Sequence, residues 1–110
     1  MRPTFHQLEL FREVARQGSF TKAAKKLSIA QPTVSGQIKQ LSQGIGLPLF
    51  EKVGRQLFLT EAGEMLLDSC KEMFDSLDRL EMAMADLQGQ RRGRLKLAVV
   101  TTAQYVVPKL

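Results

Sequence analysis

The chain has too few cysteines and histidines to support a disulfide or a structural metal site. It contains one Cys, one His and no Trp among 110 residues. A single Cys excludes an internal disulfide, and His6 with Cys70 falls short of the ligand set that a structural zinc site needs. No apolar run approaches the roughly 20 residues of a membrane span, and the N-terminus carries no signal-peptide pattern. We therefore expect a soluble, cytoplasmic protein without metal or cofactor.

Charge is distributed unevenly along the chain. The formal net charge is +5, but residues 1–60 carry nine Lys or Arg against three acids, whereas residues 61–92 carry four against eight. A basic first half beside an acidic second half indicates that only the first half contacts a polyanion. The length allows one compact domain with an appendage, and no nucleophile–base or acid–base pair suggests an enzyme.

Residues 19–50 have the pattern of two short helices around a tight turn. Apolar residues recur at helical spacing from Phe20 to Leu27, and the pattern restarts after residues 28–30. A third helix upstream begins with a capping box formed by Thr4 and Gln7. The chain thus predicts a compact unit of three helices, in which Val34, Ile38 and Leu41 point inward.

The outer face of the helix that begins near Gln31 is polar and carries almost no acid. A helix-turn-helix places the N-terminal part of its second helix against base edges, and Ser, Thr, Gln and Lys suit such contacts. The alternative is a solvated face of a small helical domain. We predict contacts with double-stranded DNA from Ser19, Thr21, Lys22, Gln31, Pro32, Thr33, Ser35, Gly36, Gln37, Lys39 and Gln40.

Residues 49–59 predict two short strands joined by a turn, which is the pattern of a wing. Gly54 permits the tight turn. Arg55 follows at its tip, where it is placed to reach a phosphate or an A·T-rich minor groove. The alternative is an arginine that is simply solvated.

A long helix begins near Thr60, and its apolar residues alternate in steps of four and three for about three heptads. Because so long a helix cannot fold back wholly onto residues 1–60, we expect it to pair two chains. The alternative is an intramolecular core helix, in which Cys70 is a small buried hydrophobe. The predicted seam consists of Leu66, Cys70, Met73, Leu77, Leu80, Met84 and Leu87.

The last part of the chain predicts a change from helix to strand. The glycine-containing run at 89–93 predicts the end of the helix, and residues 94–100 read as a buried strand without a partner downstream. We therefore predict a mainly α fold: a winged helix-turn-helix at 1–59, a linker helix for dimerisation at 60–90, and at 91–110 a hinge with the first strand of a truncated α/β effector domain.

Four segments carry a resemblance that covers essentially the whole chain: residues 19–24 (SFTKAA), 31–38 (QPTVSGQI), 46–51 (GLPLFE) and 59–63 (LTEAG). In this order and spacing they resemble the LysR-type transcriptional regulators, and most of all the CbbR-like regulators of carbon fixation. The resemblance implies base contacts by Gln31, Pro32, Thr33, Ser35 and Gly36, and a wing contact by Arg55. Gly36 departs from the family pattern, since many members have Arg there.

The same resemblance implies partners beyond DNA. It implies a homodimer through the linker helix, a tetramer in the full-length protein, and a sensor domain shaped like a periplasmic binding protein. Thr101 and Thr102 fall where relatives bind a small-molecule effector. A competing hypothesis is a coiled-coil interaction or scaffolding module, which predicts no specific DNA binding.

Overall fold

The chain forms three short helices, a hairpin and one long helix in the computed structural model. The structure describes the backbone of residues 2–101 and the side chains of residues 2–91. It divides into two units, Met1–Glu72 and Met73–Leu110. The elements are α1 (Phe5–Gln17), α2 (Phe20–Leu27), α3 (Gln31–Ile45), β1 (Phe50–Val53), β2 (Gln56–Leu59) and α4 (Glu61–Thr101).

The first two helices begin at the residues that the capping patterns predict. The Thr4 hydroxyl accepts a hydrogen bond from the Gln7 N–H at 3.0 Å, and the Gln7 side-chain oxygen accepts one from the Thr4 N–H at 3.1 Å. At α2 the Ser19 hydroxyl accepts from the Lys22 N–H at 3.1 Å. These bonds satisfy backbone donors that a helix start otherwise leaves unpaired. The predicted three-helix unit is confirmed.

One apolar core joins the three helices to the base of the hairpin. Phe50 is the first residue of β1. Its ring centroid lies 5.3 Å from the ring centroid of Phe11 and 5.8 Å from that of Phe20. Tilted and edge-on aromatic pairs at such distances stabilise beyond their buried area. The buried apolar residues of this core are Leu8, Leu10, Phe11, Val14, Ala23, Ala24, Val34, Ile38, Leu41 and Leu49.

Thr60 and Gly63 attach the start of α4 to the segment that precedes the hairpin. The Thr60 hydroxyl donates to the Pro48 carbonyl at 2.7 Å and accepts from the Gly63 N–H at 3.0 Å. The Thr60 N–H donates to the Leu49 carbonyl at 3.0 Å. A Cβ at Gly63 would overlap that same carbonyl oxygen and would lie 2.9 Å from a methyl of Leu59. Only glycine fits there without a shift of backbone.

The predicted seam residues of α4 differ in how deeply they are buried. Cys70 is fully buried within Met1–Glu72, so its side chain packs in the core of its own chain, and its place in a seam between two chains stays a prediction. Burial raises the pKa of its thiol, and the charge of Arg12 partly offsets this. Leu66 and Leu77 are half-buried. Met73, Leu80, Met84 and Leu87 are exposed.

Heptad spacing could not distinguish buried from exposed seam residues, because it shows only that one face of a helix is apolar. It does not show which part of the protein covers that face. Phe74, which lies outside the predicted seam, is 5% exposed. A helix of 3.6 residues per turn also drifts against a strict seven-residue repeat, so its apolar stripe rotates along the helix.

Helix α4 continues through residues 89–93 to Thr101, where we had predicted a helix end and a strand. Glycine within a helix costs only about 1 kcal/mol relative to alanine, so two glycines do not by themselves end a helix. The neighbouring Leu, Arg, Lys and Ala residues favour the helix, and an unpaired strand has no hydrogen-bonding partner. The prediction of a strand at 94–100 was therefore wrong. Thr102 lies outside the described residues.

We predict that Gly63→Ala lowers the free energy of unfolding by about 1–3 kcal/mol, the usual cost of forcing an added group into a packed site. Urea denaturation followed by circular dichroism would measure it. The exposed neighbour Glu64 supplies the control, because Glu64→Ala should change stability by no more than about 0.5 kcal/mol. Equal midpoints for the two variants would contradict the close contact with Leu49.

Candidate nucleic-acid interface

A three-residue turn holds α3 against α2. Ser28 adopts a left-handed conformation, with φ of 59°, and its N–H donates to the Lys25 carbonyl at 3.2 Å. The Ile29 N–H donates to the Ala24 carbonyl at 3.0 Å. These bonds end α2 within one residue and let α3 begin at Gln31. The result is the predicted helix-turn-helix.

Burial of one side of α3 determines which side faces outward. Val34 is 0%, Ile38 4% and Leu41 2% exposed, as the spacing predicted. Ser35 and Gln37 are half-buried at the flanks. The helix contains no acidic residue in its first turn and begins with Pro near its N-terminus. The exposed predicted residues of α3 are Gln31, Pro32, Thr33, Gly36, Lys39 and Gln40.

Four of the predicted DNA-contacting side chains already have partners within the chain. The Gln31 amide nitrogen donates to the Ser35 hydroxyl at 2.7 Å. The Gln37 amide oxygen accepts from the amide nitrogen of the buried Gln7 at 3.2 Å, which ties α3 to α1. Ser19, as described above, caps α2. Gln37 and Ser19 thus hold the framework in place, and their contacts with DNA stay predictions.

The hairpin has the two-stranded antiparallel form predicted for the wing. Phe50 pairs with Leu59 at its base and Val53 with Gln56 at its end. Gly54 takes a φ of 66° in the turn, a conformation that glycine adopts without steric cost. Arg55 is exposed at the tip, where the sequence placed it.

A cleft of about 430 Å³ lies between α3 and the wing. Ser35, Lys39 and Ser42 line it from successive turns of α3, and Lys52 lines it from β1. Apolar residues, among them Phe20 and Leu57, make up much of the remaining lining. Lys52 and Ser42 were not among the predicted contacts. Their place at the cleft follows from the fold, since no local pattern marks a lysine in a short strand as facing a distant helix.

The charges around this surface are almost all positive. Helix α2 contains three lysines and α3 one, and neither helix contains an acid. Of the acids in α1, Glu13 is 6% exposed and is bonded to Arg16 at 3.0 Å and to Gln17 at 2.7 Å. Hydrogen-bonded within α1, this carboxylate adds no exposed negative charge to the surface. The arrangement suits the binding of a polyanion.

The part of the chain that the structure describes contains neither a cluster of potential metal ligands nor a helix that could span a membrane. No three or more His, Cys, Asp or Glu side chains come together there as potential metal ligands. None of the described helices combines the length and the apolar character needed to cross a lipid bilayer.

A winged helix-turn-helix with a basic outer face is the architecture of a DNA-binding domain. The family model for the bacterial regulatory helix-turn-helix proteins of the LysR family matches residues 5–64. The chain is 53% identical over 107 residues, 97% of its length, to the HTH-type transcriptional activator CmpR of a Synechocystis strain, of which it covers 35%. The chain belongs to the LysR family.

Two further proteins are similar to this chain. It is 40% identical over 107 residues to a RuBisCO operon transcriptional regulator of Acidithiobacillus ferrooxidans, covering 97% of the chain and 35% of that protein. A solved complex of the BenM DNA-binding domain with catB site 1 DNA matches with a TM-score of 0.74 and 30% identity, covering 77% of this chain and 94% of that one. The chain spans about a third of the length of the curated relatives.

We predict that Lys39→Gln weakens binding to all DNA duplexes alike, because we expect this exposed lysine, which lines the cleft, to contact phosphate and not a base. The slope of log affinity against log salt should become shallower by about 0.9, the contribution of one phosphate neutralised by a cation. Fluorescence anisotropy over a salt series would measure it. Lys71→Gln removes the same charge from α4 and should leave the slope unchanged. Equal slopes for the two variants would remove Lys39 from the interface.

Proposed function

We propose that this chain is the DNA-binding and dimerising part of a LysR-type transcriptional regulator. In this proposal α3 reads base edges in the major groove, and the wing contacts the minor groove or the backbone through Arg55. The observation that carries it is the outward face of α3, which is polar, lacks acid and is held by the burial of Val34, Ile38 and Leu41. A regulator that acts on the bacterial chromosome works in the cytoplasm.

We further propose that the regulated genes serve carbon assimilation. The support is the similarity to the RuBisCO operon regulator and to CmpR reported above, which extends over nearly the whole chain. Most of the predicted contact residues of α3 are exposed, namely Gln31, Pro32, Thr33, Gly36, Lys39 and Gln40, so the core does not dictate operator preference. The similarity therefore supports a shared class of target genes and not a shared operator sequence.

A mobility-shift experiment tests this function. DNA from upstream of the carbon-assimilation operons of the same genome should bind at moderate salt about 10³-fold or more tightly than scrambled DNA of equal composition, the usual ratio for a specific site. The scaffolding hypothesis predicts no such preference. Equal binding of both duplexes would refute the carbon-assimilation target. A sequence-specific regulator would be refuted if no fragment of the same genome bound more tightly than scrambled DNA.

The exposed apolar stripe of α4 is the proposed dimerisation surface. Leu80 is 53%, Met84 53% and Leu87 46% exposed, and their steps of four and three place them on one helix face. Large apolar side chains gathered on one exposed face mark a surface that another molecule covers. We infer that a second copy of this chain covers the stripe, because its heptad spacing is the pattern by which two like helices pack.

We predict that Leu80→Asp combined with Leu87→Asp produces a monomer, since pairing would bury both carboxylates in an apolar seam. Without simultaneous binding of the second half-site, operator affinity should fall by roughly 10²–10⁴ through the decrease in effective concentration. Sedimentation and DNA titration would measure the two effects.

A matched control exists on the opposite face of the same helix. Met82→Asp with Ala85→Asp introduces equal charge at two exposed positions and should leave the dimer intact. If the first pair of substitutions leaves a dimer, or if the control pair also dissociates it, the stripe is not the contact.

Two implications of the resemblance stay predictions. Thr101 is the last residue of α4, and Thr102 lies outside the described residues, so the effector site at this pair is untested. The tetramer and the sensor domain likewise stay predictions.

A further inference from the structure

A hydrogen bond links two polar side chains one turn apart at the start of α3. The Gln31 amide nitrogen donates to the Ser35 hydroxyl at 2.7 Å. Glutamine has three rotatable side-chain bonds, and an unpaired glutamine on a helix surface samples many rotamers. The bond restricts Gln31 to a smaller set before any ligand arrives. The restriction fixes which atoms of the Gln31 amide are available to a ligand.

The atoms that remain free on Gln31 form a definite pattern. Its amide has one acceptor oxygen and two N–H donors, and Ser35 takes one donor. When Ser35 takes the hydrogen that points away from the amide oxygen, the oxygen and the other N–H are left side by side. In the major groove adenine presents an N6 donor beside the N7 acceptor, which is complementary to that pair. Guanine presents acceptors at both positions, so the amide oxygen would face O6 without a hydrogen bond.

The bond also determines what Ser35 can do. Its oxygen accepts from Gln31, so its own O–H is left as a donor. Ser35 is half-buried and lines the cleft between α3 and the wing beside Lys39. A hydroxyl donor beside a lysine suits a phosphate oxygen of the DNA backbone.

We propose that Gln31 and Ser35 act as one adenine-reading unit, in which Gln31 contacts the base and Ser35 is the positioning residue that orients it. The inference rests on the proposed DNA-binding function and adds the base that is read and the residue that enforces the choice. Ser35 thereby influences a base that it does not itself contact. Independent contacts by the two residues would produce no such influence.

The probe is a pool of short DNA duplexes with a randomised core, enriched on the wild-type chain and sequenced. One position should show an adenine preference that Gln31→Ala removes, with a loss of about 5- to 150-fold in discrimination. Ser35→Ala should reduce the preference at that same position. Replacement of that adenine by 7-deazaadenine, which lacks the N7 acceptor, should weaken binding by the wild type and not by Gln31→Ala.

A double-mutant cycle measures the coupling between the two residues. The double variant Gln31→Ala, Ser35→Ala should lose less adenine discrimination than the product of the two single losses, because the orienting bond is already absent in each single variant. The control cycle pairs Gln31 with Gln40, about 13 Å further along the helix, and should be additive.

The outcomes separate the two proposals. A pool without any enriched sequence would refute the DNA-reading function itself. An enriched site at which Ser35→Ala leaves the adenine preference of Gln31 intact would refute the coupled unit and leave the function standing. A Gln31-dependent preference for guanine would likewise overturn it, since it requires the opposite orientation of the amide.

Discussion

The burial of Val34, Ile38 and Leu41 is the constraint on which the rest of the DNA-reading surface depends. Burying side chains of this size stabilises by about 1.5–3 kcal/mol each, so any rotation of α3 that exposes them is strongly disfavoured. Because the helix cannot rotate about its own axis, Gly36, Lys39 and Gln40, which lie between these three positions, must face outward. The buried apolar residues of α3 therefore determine which of its polar residues face outward.

The wing is positioned by a second set of contacts that extends the same core. Phe50 enters the aromatic cluster with Phe11 and Phe20, and the Thr60 hydroxyl fixes the chain on the far side of the hairpin to Pro48. Both ends of the hairpin are held in this way, while its tip extends into solvent. A short two-stranded hairpin is marginally stable alone, so these attachments at its base are what make it a defined element.

Local signals predicted the first unit well because each element there carries its own start, stop and periodicity. Thr4 with Gln7, Ser19 and Pro32 mark helix starts, and the inward residues repeat at helical spacing. Helix α4 was predicted less well. The two glycines near residue 90 suggested a break that helix-forming neighbours outweigh, and the heptad steps did not reveal that Cys70 packs into its own domain.

In the candidate site, too, some features follow from a single segment of sequence, and others depend on how distant segments pack together. Outward residues of α3 follow from its period, and Arg55 follows from the turn at Gly54. The facing of Lys52 toward α3 and the bond from Gln7 to Gln37 depend on how elements meet, and no single segment encodes them. A polar residue on a predicted reading face can equally hold the framework together, as Gln37 does.

Gly36 lies on the exposed side of α3, and a Cβ built there would meet nothing within 4 Å. Its backbone is helical, so every amino acid except proline could occupy the position without disturbing the core. The fold therefore places no steric limit on a Cβ at this position. A substitution there would change the chemistry of the polar outer face of α3 at little cost to folding.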